Sequence, residues 1–501
     1  MHGTIKKLGH LHAFLISSLV QFLLRSHPND IATNPEADII QGCGEWFYWC
    51  REKLDGWPEI VNYYMTGDGE STLPGDLRNI LDEVRSLQLD RLPISLEGDF
   101  PQIEETGMSP KKVHEVSRMV AYIIQIIRIN KWDPSVLRIV DAGAGQGYLT
   151  RSLKAQLPQT KILALDADEA QTSGAQRWER RLLPLPSNEN PPITHKTIHV
   201  TPEALYSTID TWITEESPEG IDAKQEMLPV LLVGLHACGS LTPDVIKVLG
   251  QRSSGKTQWR IASMVVVGCC YNLMNPGDFP LSKSLKESSP TIDLPVSAYH
   301  LAAQVPNHWL SSLSHPTPVP SVKLALRKVT WRALLGKKLR QNIDHLPIEI
   351  NLTPGRQLPW SRLPTAKVHN FELNEEGTGA TPEMRRLGRL KDTAYTDWET
   401  FVDVAEKKMG IDFGEKVKVV DRDMRTERLL ECFHTLRCLV GTVVESAIIL
   451  DRLVWVEELL KSEGRADLRT SLVNLFDQTT GSGRNVAIVV APKVSSLTEV
   501  Q

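Results

Sequence analysis

The stretch Val140-Asp141-Ala142-Gly143-Ala144-Gly145-Gln146-Gly147-Tyr148-Leu149 constrains this chain more than any other. It puts three glycines into five residues, between a short β-branched run, Val136–Val140, and a helical pattern. Branched side chains suit a pleated strand. Glycine permits tight turns and lets a ligand approach the backbone, because no Cβ stands in the way. The segment reads as strand, bend, helix. Further apolar runs at Ile162–Leu165, Val230–Val233 and Met264–Val267 alternate with helical patterns. That alternation predicts βαβ units around a parallel sheet.

With 501 residues, the chain is expected to hold about two to four folded units. A hydrophobic share of 41% and a charged share of 23% exclude a mainly disordered chain, a collagen-like fibre and a coiled-coil rod. The spacing predicts a helical N-terminal extension over 1–107 and an α/β core over 108–345. An irregular, Pro- and Gly-rich linker is expected over 346–381, and a helical region over 382–501 ending in the strand Asn485–Val490, which closes the sheet. Ser109 and Pro110 suit the N-cap and first position of a helix that carries Val113, Val116, Val120 and Ile124 at helical period. The apolar run Ala13–Leu24 follows two lysines as a signal peptide would. It is broken by Ser17, Ser18 and Gln21 and lacks a small-x-small cleavage site, so a buried helix is expected. A span needs about 20 apolar residues, so no membrane segment is expected. The aromatic cluster Trp46–Trp49 reads first as core packing, with stacking on a base as the alternative. Seven scattered cysteines argue for a reducing, intracellular setting, cytoplasm or nucleus. The formal net charge is −5, so any nucleic-acid contact must be a local patch rather than bulk attraction.

The chemistry follows from what lies around the glycines. Asp166 ends the next apolar run, 25 positions after Asp141, where a carboxylate can accept hydrogen bonds from both ribose hydroxyls of a nucleoside cofactor. Dinucleotide sites use G-x-G-x-x-G, with the third glycine opening a helix onto a pyrophosphate. Here the form is D-x-G-x-G-x-G, similar to the first motif of Rossmann-like enzymes that bind S-adenosylmethionine. The expected cofactor-binding residues are Asp141, Gly143, Gly145, Gly147 and Asp166.

Two later segments fall at the ends of further strands, where open α/β sheets bind ligands. Gly234-Leu235-His236-Ala237-Cys238-Gly239 places His236 and Cys238 where an acceptor would meet the cofactor. His236 can take a proton from the acceptor or orient it, and packing against the cofactor is the alternative for both residues. Gly268-Cys269-Cys270-Tyr271 places Tyr271 to cover the acceptor, with Cys270 in the same pocket; thiols filling a tight strand end is the equal alternative. His236, Cys238, Cys269 and Cys270 suggest a zinc set, but structural sites normally show C-x₂₋₄-C spacing and adjacent cysteines serve one tetrahedral ion poorly. No metal is expected. Lys111, His114 and Arg118 are predicted on one helix face that can meet phosphate, a carboxylate or the substrate.

Together, Met108–Glu115 (MSPKKVHE), Asp141–Leu149 (DAGAGQGYL), Gly234–Gly239 (GLHACG), Gly268–Tyr271 (GCCY) and Val444–Arg452 (VESAIILDR) resemble the methyltransferase-like protein 25 family, one member of which is named for a ribosomal RNA adenine dimethylase domain. The resemblance implies a Rossmann-like class I methyltransferase sheet with helices on both faces and a helical insertion before the last strand. It also implies use of S-adenosylmethionine for methyl transfer but supplies no substrate; the large appended helical regions point instead to a macromolecular acceptor, RNA or protein. Adenine-N6 enzymes carry Asn/Asp/Ser followed by Pro-Pro or Leu-Pro and an aromatic residue after the fourth strand; GLHACG departs from that pattern. A catalytically inactive scaffold and a nicotinamide-dependent oxidoreductase remain the rival classes. The scaffold is the nearer of the two.

Overall fold

The computed structural model describes residues 2–33, 44–67, 72–96, 100–187, 190–216, 227–251, 258–311, 317–341, 387–410, 413 and 422–493. The predicted linker 346–381 lies outside them. Helices α1 (His2–Leu15), α2 (Ser18–Arg25), α3 (Pro28–Thr33), α4 (Gly44–Glu52), α5 (Gly56–Thr66), α6 (Gly75–Leu87) and α7 (Pro110–Ile129) come before the first strand. Then β1 (Arg138–Ala142), α8 (Tyr148–Gln156), β2 (Lys161–Asp166), α9 (Glu169–Leu182), β3 (Thr194–Thr197), α10 (Pro202–Glu216), β4 (Leu228–Cys238), α11 (Leu241–Lys247) and β5 (Trp259–Cys269) alternate. After them run α12 (Lys283–Lys286), α13 (Val296–Leu301), α14 (Pro320–Gln341), α15 (Trp398–Met409), α16 (Met424–Ser462), β6 (Leu468–Asn474) and β7 (Val486–Pro492).

The strands form one seven-stranded sheet in the order β3-β2-β1-β4-β5-β7-β6. The first five are parallel, and β7 enters antiparallel between β5 and β6. This is the expected α/β, Rossmann-like architecture. One correction concerns its closure, which takes a pair of strands rather than a single one. Strand β6 is an edge strand whose middle residues are only half-buried, so it lacks the apolar run by which the inner strands announce themselves.

Alternation along each strand sends neighbours to opposite faces, and both faces are covered. Ile139, Val233, Val265, Val267 and Val489 pack with Val116, Met119, Val120 and Ile123 of α7. Val140, Leu232, Met264, Val266 and Val490 pack on the other side with Leu205 and Ile209 of α10 and Ile246 of α11. Helix α7 starts as expected: Ser109 Oγ accepts from the Lys112 amide, and Pro110 takes the first position, where no amide is needed. Its buried stripe is rotated from the expected one, since Val113 and Ile124 are half-buried while Met119, Ile123 and Ile127 are fully enclosed.

The chain divides into two compact units that do not follow the predicted linear boundaries. The sheet unit comprises 1–16, 87–304 and 441–501, and the second comprises 17–86 and 305–440. The second unit is helical. Trp331 meets Trp398 and Phe401 there, and Arg437 Nε donates to the Leu23 carbonyl at 2.8 Å. Of the N-terminal aromatics Trp46 and Phe47 are buried and Tyr48 is exposed, which supports core packing. The apolar N-terminal run is helical, interrupted at Ile16-Ser17, with Leu15, Val20, Leu23 and Leu24 buried. Among the described residues no single helix is long and apolar enough to cross a membrane.

Ile123 is fully enclosed between α7 and the sheet. Ile123→Ala is expected to lower stability by about 2–5 kcal/mol in urea unfolding, the range for deleting a buried aliphatic side chain. A loss below about 1 kcal/mol would show that this helix does not seal the sheet.

Candidate functional site

The carboxyl ends of β1, β2 and β4 lie side by side, and the conserved geometry of parallel strands brings three loops together there. The glycine loop is tied to β2 by two hydrogen bonds, from the Gly143 and Ala144 amides to the Leu165 carbonyl, both 2.9 Å. Gly143 and Gly145 hold φ at +79° and +56°, the left-handed region that favours glycine. A Cβ on Gly143 would stand 2.8 Å from Leu241 Cδ2 and 3.8 Å from the His236 carbonyl, so the loop packs directly against the end of β4. A Cβ on Gly145 would meet nothing within 4 Å. The loop is therefore closed on the β4 side and open at Gly145, the face on which a ligand can approach the backbone.

The two acids of the cofactor prediction divide their labour. Asp166 Oδ2 accepts from the Gly145 amide at 2.8 Å and Oδ1 from the Asp168 amide at 2.9 Å, so this half-buried carboxylate shapes the open side of the loop. Asp141 is different. It is 1% exposed and accepts from Thr150 Oγ1 at 2.6 Å. Burial pushes its carboxyl up to about 6 despite that bond. Asp141 thus anchors α8 to β1 and is shielded from the open face, a correction to its expected direct contact with a cofactor.

The end of β4 carries His236, and its partners come from α7. His236 Nε2 lies 3.0 Å from Glu115 Oε2 and 2.5 Å from Lys112 Nζ, and Lys112 Nζ lies 3.1 Å from the same Glu115 oxygen. Glu115 has no exposed surface. Burial pushes its carboxyl up, but hydrogen bonds and charge from His236 and Lys112 outweigh this and hold it below the usual range. Sequence reasoning chose Lys111 and His114 on this helix, and the structure puts Lys112 and Glu115 against His236 instead. Lys111 is exposed. His114 Nε2 accepts from the Asp477 amide at 3.1 Å, and Arg118 donates to the carbonyls of Leu475 and Ile94, so both serve the loop after β6. The sequence signals for Lys112 and Glu115 are their place in the Met108–Glu115 segment and beside the buried stripe of α7.

The three thiols at the ends of β4 and β5 converge. Cys238 Sγ is 3.1 Å from Cys269 Sγ and 3.4 Å from Cys270 Sγ. Hydrogen bonds from these neighbours lower the Cys238 thiol to about 6, with help from His236 and Lys112. Cys269 and Cys270 shift upward, Cys269 through its bond to Cys238 and through burial, Cys270 chiefly through burial. Tyr271, expected over the acceptor, is 1% exposed. Its hydroxyl donates to Glu445 Oε1 at 3.2 Å and its ring faces the Arg452 guanidinium, so it braces the β5 loop from within and lines no open pocket. Burial and the Glu445 charge push its hydroxyl up. The C-terminal motif is structural in the same way: Glu445 also pairs with Arg91 at 2.7 Å, and Asp451 accepts from the Leu281 and Ser282 amides.

Residues 111–277 match a family model described as a methyltransferase domain. Methyltransferase-like protein 25 of Homo sapiens is 25% identical over 58% of this chain and 41% of its own length. Its Mus musculus counterpart is 23% identical over 59% and 42%. The chain thus spans about two fifths of the length of the curated relatives it matches. A solved plantazolicin methyltransferase BpumL in complex with SAH shares 12% identity over 57% of this chain and 78% of that one, at a TM-score of 0.20.

The buried Asp141 carboxyl makes a signed prediction. Its folded pKa, about 6, lies above its ordinary value of 3.8. Its contribution to stability is therefore greatest below pH 4 and is lost as pH rises through 6. Asp141→Asn removes that loss, so the variant gains on the parent between pH 4 and pH 7 by an amount on the order of 3 kcal/mol. Urea unfolding of both proteins across that range checks it, and a pH-independent difference refutes it.

Proposed function

Starting from a chain that carries a methyltransferase domain and is related to methyltransferase-like protein 25, we propose that it transfers a methyl group from S-adenosylmethionine to a macromolecular acceptor, RNA or protein. The observation that carries the reading is the open left-handed turn at Gly145, flanked by Asp166 and seated against the end of β4. When bound, S-adenosylmethionine supplies an electrophilic methyl group on a sulfonium.

The chain's own residues do the rest. Gly145 offers a stretch of loop backbone that no side chain covers, and Asp166 offers two carboxylate oxygens to ribose hydroxyls. His236 stands at the neighbouring strand end, held by Glu115 and Lys112, where it orients the acceptor. Methyl transfer to a good nucleophile needs little proton transfer, so alignment and exclusion of water are the main contributions of such a site. A macromolecular acceptor fits the size of the helical regions beyond the sheet, which a small substrate does not require. The intact glycine loop and acid weigh against a scaffold, and the G-x-G-x-G spacing weighs against a nicotinamide cofactor.

Calorimetry tests the cofactor. S-adenosylmethionine should bind and NAD should not. Gly145→Arg fills the open face and should abolish binding while leaving unfolding cooperative; unchanged affinity would remove the loop from the reading. Asp166→Ala should weaken binding roughly 10–100-fold, the usual worth of hydrogen bonds to a charged group. Comparing RNA nucleoside and protein methylation with and without the gene tests the acceptor. Loss of a mark in neither class would refute a macromolecular substrate.

A further inference from the structure

We propose that Cys238, Cys269, Cys270 and His236 bind one thiophilic divalent cation, zinc, at the joined ends of β4 and β5. This inference uses the strand ends and not the glycine loop, and it shares His236 with the proposed methyl transfer: with Nδ1 on the metal and Nε2 on Glu115, that imidazole shapes the acceptor side without bonding the acceptor itself.

Chain spacing argues against a metal here, since Cys269 and Cys270 are adjacent. The tertiary structure removes the objection. Cys238 and Cys269 are register partners on parallel strands, and the Gly239 amide bonds the Cys269 carbonyl at 3.0 Å, holding the two strand ends together. Cys270 then sits at φ +48°, a left-handed conformation that is strained for a non-glycine residue. That turn brings its thiol back beside Cys238, so that all three sulfurs lie within 4.8 Å of one another.

The distances suit a tetrahedral ion. Zinc–sulfur bonds of about 2.3 Å place sulfurs about 3.8 Å apart, and a sulfur and an imidazole nitrogen about 3.6 Å apart. The observed separations are 3.1 and 3.4 Å between sulfurs and 4.0 Å from Cys269 Sγ to His236 Nδ1. Shifts of a few tenths of an ångström open the two sulfur pairs to that spacing, and His236, which lies outside the set of ligand atoms mutually within 4.8 Å, swings further toward Cys238 and Cys270 to complete the tetrahedron. Soft thiolates with one imidazole are the donor set of zinc rather than of magnesium or calcium.

The surroundings of His236 complete the case. Its Nδ1 faces the thiols and its Nε2 faces the fully buried Glu115 at 3.0 Å. A cation at Nδ1 selects the tautomer whose Nε2–H donates to Glu115, the carboxylate–histidine–metal arrangement that orients ligating imidazoles; Lys112 Nζ, a donor 2.5 Å from that same nitrogen, then turns wholly to Glu115, which it already meets at 3.1 Å. Three thiolates around a divalent ion leave a net charge of −1, and the neighbouring Lys112 and Glu115, paired at 3.1 Å, cancel each other and leave that charge unchanged. A redox pair fits less well, because a disulfide uses two of the three thiols and has no use for the histidine or the acid.

The full chain, purified with reductant and without chelator, is assayed for metal by mass spectrometry. About one zinc per chain is expected, falling to background in Cys238→Ser and Cys270→Ser. Cobalt(II) added anaerobically to chelator-treated protein should give a thiolate charge-transfer band at one equivalent. Glu115→Gln should keep that band but weaken zinc affinity roughly 10–100-fold, with circular dichroism confirming the fold. Calorimetry with S-adenosylmethionine on the same samples reports separately on the cofactor site. Absence of a cobalt band with three titratable thiols, or a Cys238–Cys269 disulfide in the native protein, would overturn the proposal.

Discussion

The parallel pairing of β4 with β1 on one side and β5 on the other is the constraint from which the rest follows. In a parallel sheet all carboxyl ends lie at one edge. Three segments far apart in the chain, the glycine loop, GLHACG and GCCY, therefore open at one place. The pairing is secured by strands that are apolar on both faces. Val265 and Val267 pack under α7, while Met264 and Val266 pack under α10 and α11. A one-residue slip in such a strand does not expose apolar groups to water, so hydrophobicity alone does not choose the register. The polar strand ends do, through bonds such as Gly143 to Leu165 and Gly239 to Cys269.

Several buried ionic groups brace these ends. Glu115, Asp141, Glu445, Asp451 and Arg452 are each almost wholly enclosed and each holds a loop or helix in place. A charge without water is costly unless it is paired or hydrogen-bonded. Four of these groups meet that requirement locally: Glu115 with His236 and Lys112, Asp141 with Thr150, Glu445 with Arg91 and Tyr271, Asp451 with two amides. Loops held this way have less freedom to lose when a ligand arrives. The C-terminal motif VESAIILDR has its role here, as bracing for the β5 loop.

The glycine loop and the joined ends of β4 and β5 differ in how they are built. The loop is defined by backbone conformation and needs almost no side chains. The other side is defined by side chains from α7, β4 and β5, each supported by a partner from another element. His236 leans on Glu115 and Lys112, and Cys238 meets both neighbouring thiols.

What the amino-acid order determined by itself was whatever depends on local backbone preference: the alternation of strands and helices, the cap at Ser109, the left-handed glycines, and Asp166 at the end of β2. Those features arise from interactions over a few residues, which leave a direct trace in the order of residue types. Only the tertiary structure decided that Lys112 and Glu115, not Lys111 and His114, face His236, because that choice depends on the rotation of α7 against a strand more than 100 positions away. It also decided that Tyr271 and Asp141 are internal supports, that two adjacent cysteines share one neighbour, and that a half-polar edge strand completes the sheet. Each of these rests on packing between distant elements, where a shift of one residue or one helical turn reverses which side chain faces the site.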